Sequence, residues 1–218
     1  MAAPGHGCLI TLEGGEGAGK TTQIQVLDEF LSEQGITVVK TREPGGSEGA
    51  EEIRNLLVTG NPQRWDAVTE LLLMSAARRD HVERVIRPAL ARGDWVVCDR
   101  FADSSMAYQG CGRELGLETV GRVQKLVLGD LTADLTLYLD IDVQAGLARA
   151  RSRGDDEDRF EKLELDFHQR IRDGFLEMAR REPERFAVID ADRSPPEVQD
   201  NIRRVVRERL GLAAGKDG

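Results

Sequence analysis

Residues 8–22, CLITLEGGEGAGKTT, decide the fold of this chain. A short apolar run from Cys8 to Leu12 meets a glycine-rich segment that matches the pattern G-x-x-x-x-G-K followed by Ser or Thr, with Gly14 as the first glycine. Glycine tolerates positive φ, so successive backbone N–H groups can point at phosphate oxygens, and a helix that begins at Lys20 adds its positive dipole end. The stretch predicts a strand, a phosphate-binding loop and a helix. The alternative is a glycine-rich turn that binds nothing.

The residues of this loop have distinct expected roles. Lys20 should reach the β- and γ-phosphates of a nucleoside triphosphate. The Thr21 hydroxyl is placed for Mg²⁺, which keeps most of its waters and takes few protein ligands when phosphates supply the rest. The predicted nucleotide-binding set is Gly14, Gly15, Glu16, Gly17, Ala18, Gly19, Lys20, Thr21 and Thr22.

Length and composition narrow the class of protein. The 218 residues suit one α/β domain, residues 1–218, and the net charge of −9 argues against a general surface for nucleic acid or anionic membrane. Cys8, Cys98 and Cys111 show no paired spacing, which fits a reducing cytoplasm. The first seven residues lack a signal-peptide pattern, and no stretch is long enough to span a bilayer. We expect an unprocessed cytoplasmic protein.

Strand and helix patterns alternate along the chain. Strand candidates at 36–39, 95–98, 135–140 and 186–190 follow the first one, and apolar residues at helical spacing lie between them, as in the helix expected over residues 65–91. Ser194-Pro195-Pro196-Glu197 predicts a capping box at the start of the last helix. Crossovers between parallel strands are nearly always right-handed, so the predicted fold is a five-stranded parallel sheet with helices on both faces. The order of the strands cannot be read from the pattern. The tail, residues 213–218, is expected to fray.

Several polar segments are candidates for the site, each with a plain structural alternative. Residues 41–49, TREPGGSEG, form either a loop over a ligand or an ordinary surface turn. Asp99, Arg100 and Phe101 follow a buried strand, where ligands collect in open α/β sheets. Residues 104–112 either line a pocket or only connect two elements. The arginine-rich segment 149–162 is either a mobile lid or a solvated helix end.

These features favour phosphoryl transfer between two anions. Arginines occur at three separate places, which are Arg78 with Arg79, Arg100, and the lid segment. That is more cationic charge than one triphosphate needs, although arginines on a helix by default form a solvated face. No Ser–His–Asp set or metal-spaced Cys/His cluster competes. If the acceptor is an ionised phosphate, catalysis needs alignment and charge neutralisation rather than a general base.

A family resemblance makes this hypothesis specific. The segments that carry it are, in order, LEGGEGAGKTT, TREPGG, SAARRDH, VVCDRF, DSSMAYQGCGR and LTLYLD. In that spacing they resemble the bacterial thymidylate kinases, which are P-loop nucleoside monophosphate kinases, over nearly the whole chain. The resemblance implies transfer of the γ-phosphoryl group of ATP to dTMP, giving dTDP and ADP for dTTP synthesis. It also implies Mg²⁺ and a homodimer, and neither a nucleic acid polymer nor a membrane as a partner.

The resemblance implies roles around the acceptor. Glu16 would approach the deoxyribose 3′-hydroxyl, and Tyr108 would help exclude a 2′-hydroxyl. Arg78 would hydrogen-bond the thymine carbonyl, with Ser105 and Gln109 at the base. Met74 stands where many relatives place a phenylalanine that stacks on thymine, and its thioether would cover the base face instead.

The resemblance also implies roles around the phosphates. Glu43 would lie near the acceptor and the metal, Arg100 would bridge the two nucleotides, and Asp99 would face the magnesium shell. Phe101 replaces a tyrosine or histidine, so no polar contact is expected there. Because Glu16 stands where one branch of the family has an arginine, the catalytic lid arginine is expected to be Arg153. The residues expected to be catalytic are Lys20, Arg100, Arg153 and Glu16. The lid residues expected to bind ATP are Arg149 and Arg159.

Two other functions are compatible with the sequence. The nearer one is a kinase of another nucleoside monophosphate or of a deoxynucleoside. The more distant one is a P-loop switch or partitioning ATPase that acts through a partner. His6, His81 and His168 occur singly, and each is expected to be structural or solvated.

Overall fold

A central parallel sheet organises the structure, a computed structural model that describes residues 7–61, 63–152, 159–160 and 163–212. The strands are β1 (Leu9–Glu13), β2 (Val38–Arg42), β3 (Trp95–Asp99), β4 (Leu135–Asp140) and β5 (Phe186–Asp190). They pair in parallel in the order β2-β3-β1-β4-β5. The predicted five-stranded parallel sheet is therefore confirmed.

The middle position of β1 places the glycine-rich loop at the centre of one sheet edge. Every residue of β1 is buried, since the strand pairs with β3 on one side and β4 on the other. Parallel strands end at the same edge, so the loop after β1 lies between the ends of β3 and β4. Ligands of open α/β sheets bind at such a point, beyond the carboxyl ends of the strands where the chain order reverses.

The helices connect successive strands. They are α1 (Lys20–Glu33), α2 (Glu48–Leu57), α3 (Ala67–His81), α4 (Arg87–Ala91), α5 (Ala102–Ser105), α6 (Leu117–Leu128), α7 (Val143–Arg151), α8 (Leu165–Arg181) and α9 (Pro195–Leu210). Two segments, Val82–Ile86 and Met106–Gly112, form wider π-helical turns. Such turns often mark functional sites, and the second one carries Gln109, expected at the base, and Tyr108, expected at the sugar.

Helices cover both faces of the sheet. On one face, Leu27 of α1 and Ile202 of α9 pack with Ile10 of β1. On the other face, Leu9 of the same strand packs with Ile86. Neighbouring residues of a strand point to opposite faces, so β1 serves both layers of the core. A third cluster packs α8 against Tyr138 of β4 through Phe175, with the two rings stacked at 4.8 Å.

Some predicted boundaries need correction. The strand expected at residues 36–39 begins at Val38 and continues to Arg42. The helix expected over residues 65–91 is divided by the π-helical segment at Val82–Ile86, and its first part begins at Ala67.

The capping box expected at Ser194 is present, and the cysteines are free thiols. The tail, residues 213–218, lies outside the described residues.

None of the helices in the part of the chain that the structure describes is long and apolar enough to cross a membrane.

Candidate active site

A cavity of about 690 Å³ opens at the carboxyl ends of the strands. Most of its walls come from four parts of the chain that the sequence singled out: the glycine-rich loop, residues 40–46 at and beyond the end of β2, helix α3, and residues 99–109, which begin at the end of β3. Glu51, Arg54, Val58, Val85 and Phe160 also line the cavity. The sheet thus brings together segments that are up to about ninety residues apart.

The glycine-rich loop wraps closely around its neighbours. Gly17 has a φ of 70°, and a Cβ at this position would overlap the carbonyl oxygen of Gly146 in α7. Gly19, with a φ of 88°, then leads into α1. These positions need glycine because one needs space and both need the left-handed backbone. The two glycines therefore let the loop pass close to α7 and turn into α1.

Lys20 lies over the loop and is buried. Its Nζ donates to the carbonyl oxygens of Gly14 and Gly15, at 3.1 and 3.0 Å. Burial, helped by the nearby Arg100 guanidinium, lowers the pKa of Lys20 to about 8. A polyanion at this position would favour the charged ammonium, since opposite charge offsets both effects. The lysine is thus placed for the phosphate contact that the motif predicts.

Arg100 and Glu16 form the electrostatic centre of the cavity. Arg100 donates from Nη2 to Glu16 Oε1 at 3.0 Å and from Nη1 to the Gly14 carbonyl at 2.7 Å. Tyr108 donates its hydroxyl to the same Oε1 at 2.8 Å, and its ring lies 5.0 Å below the Arg100 guanidinium. Burial alone would raise the pKa of Glu16, but Arg100 and Lys20 outweigh it and lower the pKa to about 2. Three predicted site residues thus form one connected network.

The backbone of Arg100 adopts an uncommon conformation. Its φ is 65°, and in the described part of the chain only Glu114 shares a positive φ among non-glycine residues. Glu13, at the end of β1, accepts from Phe101 N at 2.8 Å and from Ser104 Oγ at 2.6 Å. These bonds hold the turn in which Arg100 lies. Strained backbone of this kind persists where the surroundings fix it, and it concentrates at functional sites.

Arg78 is buried, although sequence reasoning took helix arginines as a solvated face by default. Its Nε donates to Glu43 Oε2 at 2.6 Å and its Nη1 to Ser105 Oγ at 2.9 Å. The other Glu43 oxygen contacts His81 Nδ1 at 2.9 Å, and His81 Nε2 contacts Thr41 Oγ1. Glu43 and His81 therefore fix the direction of the Arg78 guanidinium, and Met74 lines the cavity one turn earlier on α3.

Thr21 and Asp99 meet at the edge of the cavity, with the Thr21 hydroxyl 3.4 Å from Asp99 Oδ2. Within the described ranges, no group of three or more His, Cys, Asp or Glu side chains could hold a metal alone. A hydroxyl and a carboxylate nevertheless fit Mg²⁺, which prefers oxygen ligands and takes the others from water and phosphate.

Comparison with known proteins agrees with this geometry. The sequence model of the family described as "Thymidylate kinase" matches residues 12–202. The chain belongs to the thymidylate kinase family. Curated thymidylate kinases of Caulobacter vibrioides and Magnetococcus marinus are 55% and 50% identical to it, over 95% and 94% of this chain and 99% and 98% of theirs. The crystal structure of thymidylate kinase from Ehrlichia chaffeensis superimposes with a TM-score of 0.76 at 36% identity, covering 92% of this chain and 99% of that one.

In this member of the thymidylate kinase family, Gln109 binds a residue that the sequence analysis did not single out. Its Nε2 donates to Glu70 Oε1 at 3.0 Å, and Glu70 is fully buried. Arg113 and Arg159 contact the same carboxylate, at 2.9 and 2.8 Å. Glu70 therefore connects the base end of the cavity to the end of the lid segment.

The two predicted lid arginines that the structure describes lie in different places. Arg159, expected at ATP, is fully buried instead, bound to Glu70 and to the Leu57 carbonyl at 3.1 Å. Arg149 pairs with Asp192, just after β5, at 3.1 Å. Neither belongs to the described residues that line the cavity. Arg153 lies outside the described residues.

Sequence reasoning missed several residues that support the site. They are Glu13, Glu70 and Arg113. His81, expected to be structural or solvated, is buried and bound to Glu43. Glu13 and Glu70 carried a usable signal, since each acid interrupts an apolar segment that the fold buries. No signal in the sequence indicated which residues these acids would contact, because the partners lie 35 or more residues away in the chain.

Proposed function

We propose that this chain transfers the γ-phosphoryl group of ATP to dTMP, giving dTDP and ADP. The observation that carries the proposal is one cavity that joins a phosphate cradle to a pocket with polar groups for a base, with Arg100 between them. The family membership of the chain supports the same reaction.

The chain's own residues act mainly by position and charge. The backbone of residues 14–19 would hold the β- and γ-phosphates at the start of α1, and Lys20 would turn from the loop carbonyls to the phosphates. Arg100, held in direction by Glu16 and the Tyr108 ring, would span the acceptor and donor phosphates. The phosphate of dTMP is already ionised near neutral pH, so alignment replaces general-base catalysis.

The pocket near α3 would hold the thymine. Arg78 donates three of its five N–H groups, to the Glu43 carboxylate, the Ser105 hydroxyl and the Phe101 carbonyl oxygen. The other two are left for a base carbonyl. Ser105 and Gln109 lie beside it, and Met74 supplies an apolar cover for the ring. Glu16 keeps its second carboxylate oxygen for the sugar 3′-hydroxyl, and the Tyr108 ring would leave little room for a 2′-hydroxyl.

Mg²⁺ is the proposed cofactor. Thr21 and Asp99 would hold it with phosphate and water, and Glu43 would lie nearby on the acceptor side. Bound there, the ion would neutralise charge on the transferring phosphates.

For the lid we keep Arg153 as the proposed catalytic arginine and Arg149 as a contact to ATP, because arginines that close over the phosphates can also exclude water. For Arg159 we propose a different role, which is to anchor the end of the lid segment through Glu70.

We also propose a cytoplasmic homodimer. Val68 and Leu72 on α3 and Leu126 on α6 are 52%, 57% and 83% exposed, and the two helices pack side by side. Large exposed apolar residues on adjacent helices fit a surface that another protein covers.

The test of the reaction is a comparison of initial rates with ATP, Mg²⁺ and one acceptor at a time: dTMP, dUMP, AMP, CMP or thymidine. We expect ADP and dTDP to form in equal amounts, with kcat/KM highest for dTMP. A preference for another acceptor would replace the substrate. Slow ATP hydrolysis without transfer to any of them would instead indicate a P-loop switch or ATPase.

A further inference from the structure

The side chain of Glu70 lies buried at the base end of the cavity, and it is enclosed by hydrogen-bond donors. Arg113 donates from Nη2 to Oε2 at 2.9 Å and from Nε to Oε1 at 3.2 Å. Arg159 Nη2 lies 2.8 Å from Oε2. A guanidinium group can only donate, so both oxygens of Glu70 act as acceptors in these contacts.

This fixes the orientation of the Gln109 side chain. Its amide contacts Glu70 Oε1 at 3.0 Å, and an acceptor-only carboxylate requires the NH₂ group, rather than the carbonyl oxygen, to make that contact. The amide is planar, so its oxygen must point away from Glu70. Gln109 is 1% exposed and lines the cavity. The carbonyl oxygen of Gln109 is therefore an acceptor that it can offer to a ligand.

We propose that Glu70, through Gln109, selects acceptor bases that present a ring N–H. Thymine and uracil carry a hydrogen on N3, which can donate to the Gln109 oxygen. Cytosine has an unprotonated N3, whose lone pair would face the same oxygen without a proton between them. Glu70 never touches the nucleotide on this account, so it is a positioning residue that determines specificity. The inference rests on the proposed function, since it concerns the base of the acceptor.

The two arginines explain why a carboxylate is suited to this position. A glutamine in place of Glu70 could rotate its own amide and donate to Gln109, so both orientations of Gln109 would become available. Glu70, which Arg113 and Arg159 hold as an acceptor, allows Gln109 only the orientation in which its NH₂ group faces Glu70.

The experiment compares E70Q with the unmodified enzyme, using kcat/KM for dTMP, dUMP and dCMP. We expect the ratio of dTMP to dCMP to fall about tenfold or more in E70Q, since one mismatched polar contact in a buried site has that effect. The ratio of dTMP to dUMP should stay unchanged, because both bases have the N3 hydrogen. A role in stability alone would lower all three values by the same factor and leave both ratios unchanged, which would overturn the proposal.

Glu83 offers a matched control. Its carboxylate also pairs with two arginines, Arg79 and Arg87, at 2.9 and 3.0 Å, but its side chain is 42% exposed. E83Q should keep every ratio. If E83Q relaxed the ratio of dTMP to dCMP as much as E70Q does, the proposed path through Gln109 would be wrong.

A second measurement needs no variant that could fail to fold. In the unmodified protein, dTMP labelled with ¹⁵N at N3 should show an NMR coupling across a hydrogen bond to the side-chain carbonyl carbon of Gln109. Absence of that coupling in a saturated complex would overturn the proposal even though dTDP forms. Failure of the unmodified enzyme to make dTDP would instead reject the proposed function, so the two failures can be told apart.

Discussion

Two arginines of the cavity differ in how their surroundings use them. Arg100 stacks on Tyr108 and pairs with Glu16, both of which face the cavity, and its guanidinium stays at the phosphate end. Arg78 is 3% exposed and is fixed by Glu43 and Ser105, at the base end. In the proposed reaction, an arginine would therefore neutralise charge in one place and make directed hydrogen bonds in the other, because its neighbours differ.

At this scale we predict the effect of R78M. Loss of the guanidinium should raise KM for dTMP about tenfold or more and leave KM for ATP within about twofold, since Arg78 lies on the acceptor side only. The variant should also lose about 3–5 kcal/mol of stability, because Glu43 is left as a buried, poorly compensated charge. Steady-state kinetics at a temperature below the lowered Tm checks the two KM values, and denaturant unfolding measures the loss of stability.

The neighbouring arginine provides the control for that experiment. Arg79 is half exposed and pairs with Glu83, so R79M should change neither KM by more than about twofold. Equal loss of affinity for both nucleotides in R78M would contradict the role assigned to Arg78.

The turn after β3 shows how an element positions a residue. Glu13 ends β1, and its two carboxylate oxygens bind Phe101 and Ser104 on the turn that carries Arg100. Burial and the nearby Asp103 carboxylate raise the pKa of Glu13 to about 8. The Ser104 hydroxyl can donate or accept, so a neutral side chain at position 13 can keep both contacts.

We predict from this that E13Q will be mild and E13A severe. A glutamine side chain offers the same acceptor and a donor to Ser104, so kcat at pH 7 should stay within about threefold. An alanine leaves the Phe101 N–H and the Ser104 hydroxyl unpaired, which costs about 1–3 kcal/mol for each buried group. The turn then loosens, and kcat should fall about tenfold or more.

The measurement for the Glu13 variants is kcat and KM for both substrates at pH 7, together with thermal unfolding. If E13Q proved as slow as E13A, the negative charge of Glu13, rather than its hydrogen bonds, would be the important property.

At the scale of the whole molecule, the apolar residues on α3 and α6 face outward, on the helical layer beside the cavity wall. Because α3 also carries Met74 and Arg78, a partner covering its outer side would restrain the helix that holds the base. The proposed dimer would therefore also support binding of the base.

We predict that L126E will convert a dimer of 24.1 kDa chains into monomers. Leu126 is 83% exposed, so the substitution should leave the fold of one chain intact while placing a charge in the interface. V188E serves as the control. Val188 is 48% exposed on the edge strand β5, outside the proposed interface of α3 and α6, so V188E should leave the dimer unchanged. Sedimentation equilibrium measures the masses; a monomeric unmodified protein, or a dimeric L126E, would reject this interface.

Local patterns of the sequence determined much of this protein. The loop glycines, the apolar strands at 95–98, 135–140 and 186–190, and the capping box at Ser194 were predicted because neighbouring residues define them. Backbone freedom, side-chain alternation and helix capping all act within a few residues, so they can be read without a structure.

Only the tertiary structure decided which side chains meet. Glu13 binds a turn that lies 88 residues later in the chain. Glu70 contacts both Gln109 and Arg159, at the end of the lid segment, and Arg159 pairs with this carboxylate although the sequence placed it at ATP. The order β2-β3-β1-β4-β5 was likewise absent from the pattern. A hydrogen bond between distant residues depends on how the layers pack around the sheet, and packing is a property of the assembled chain rather than of any segment.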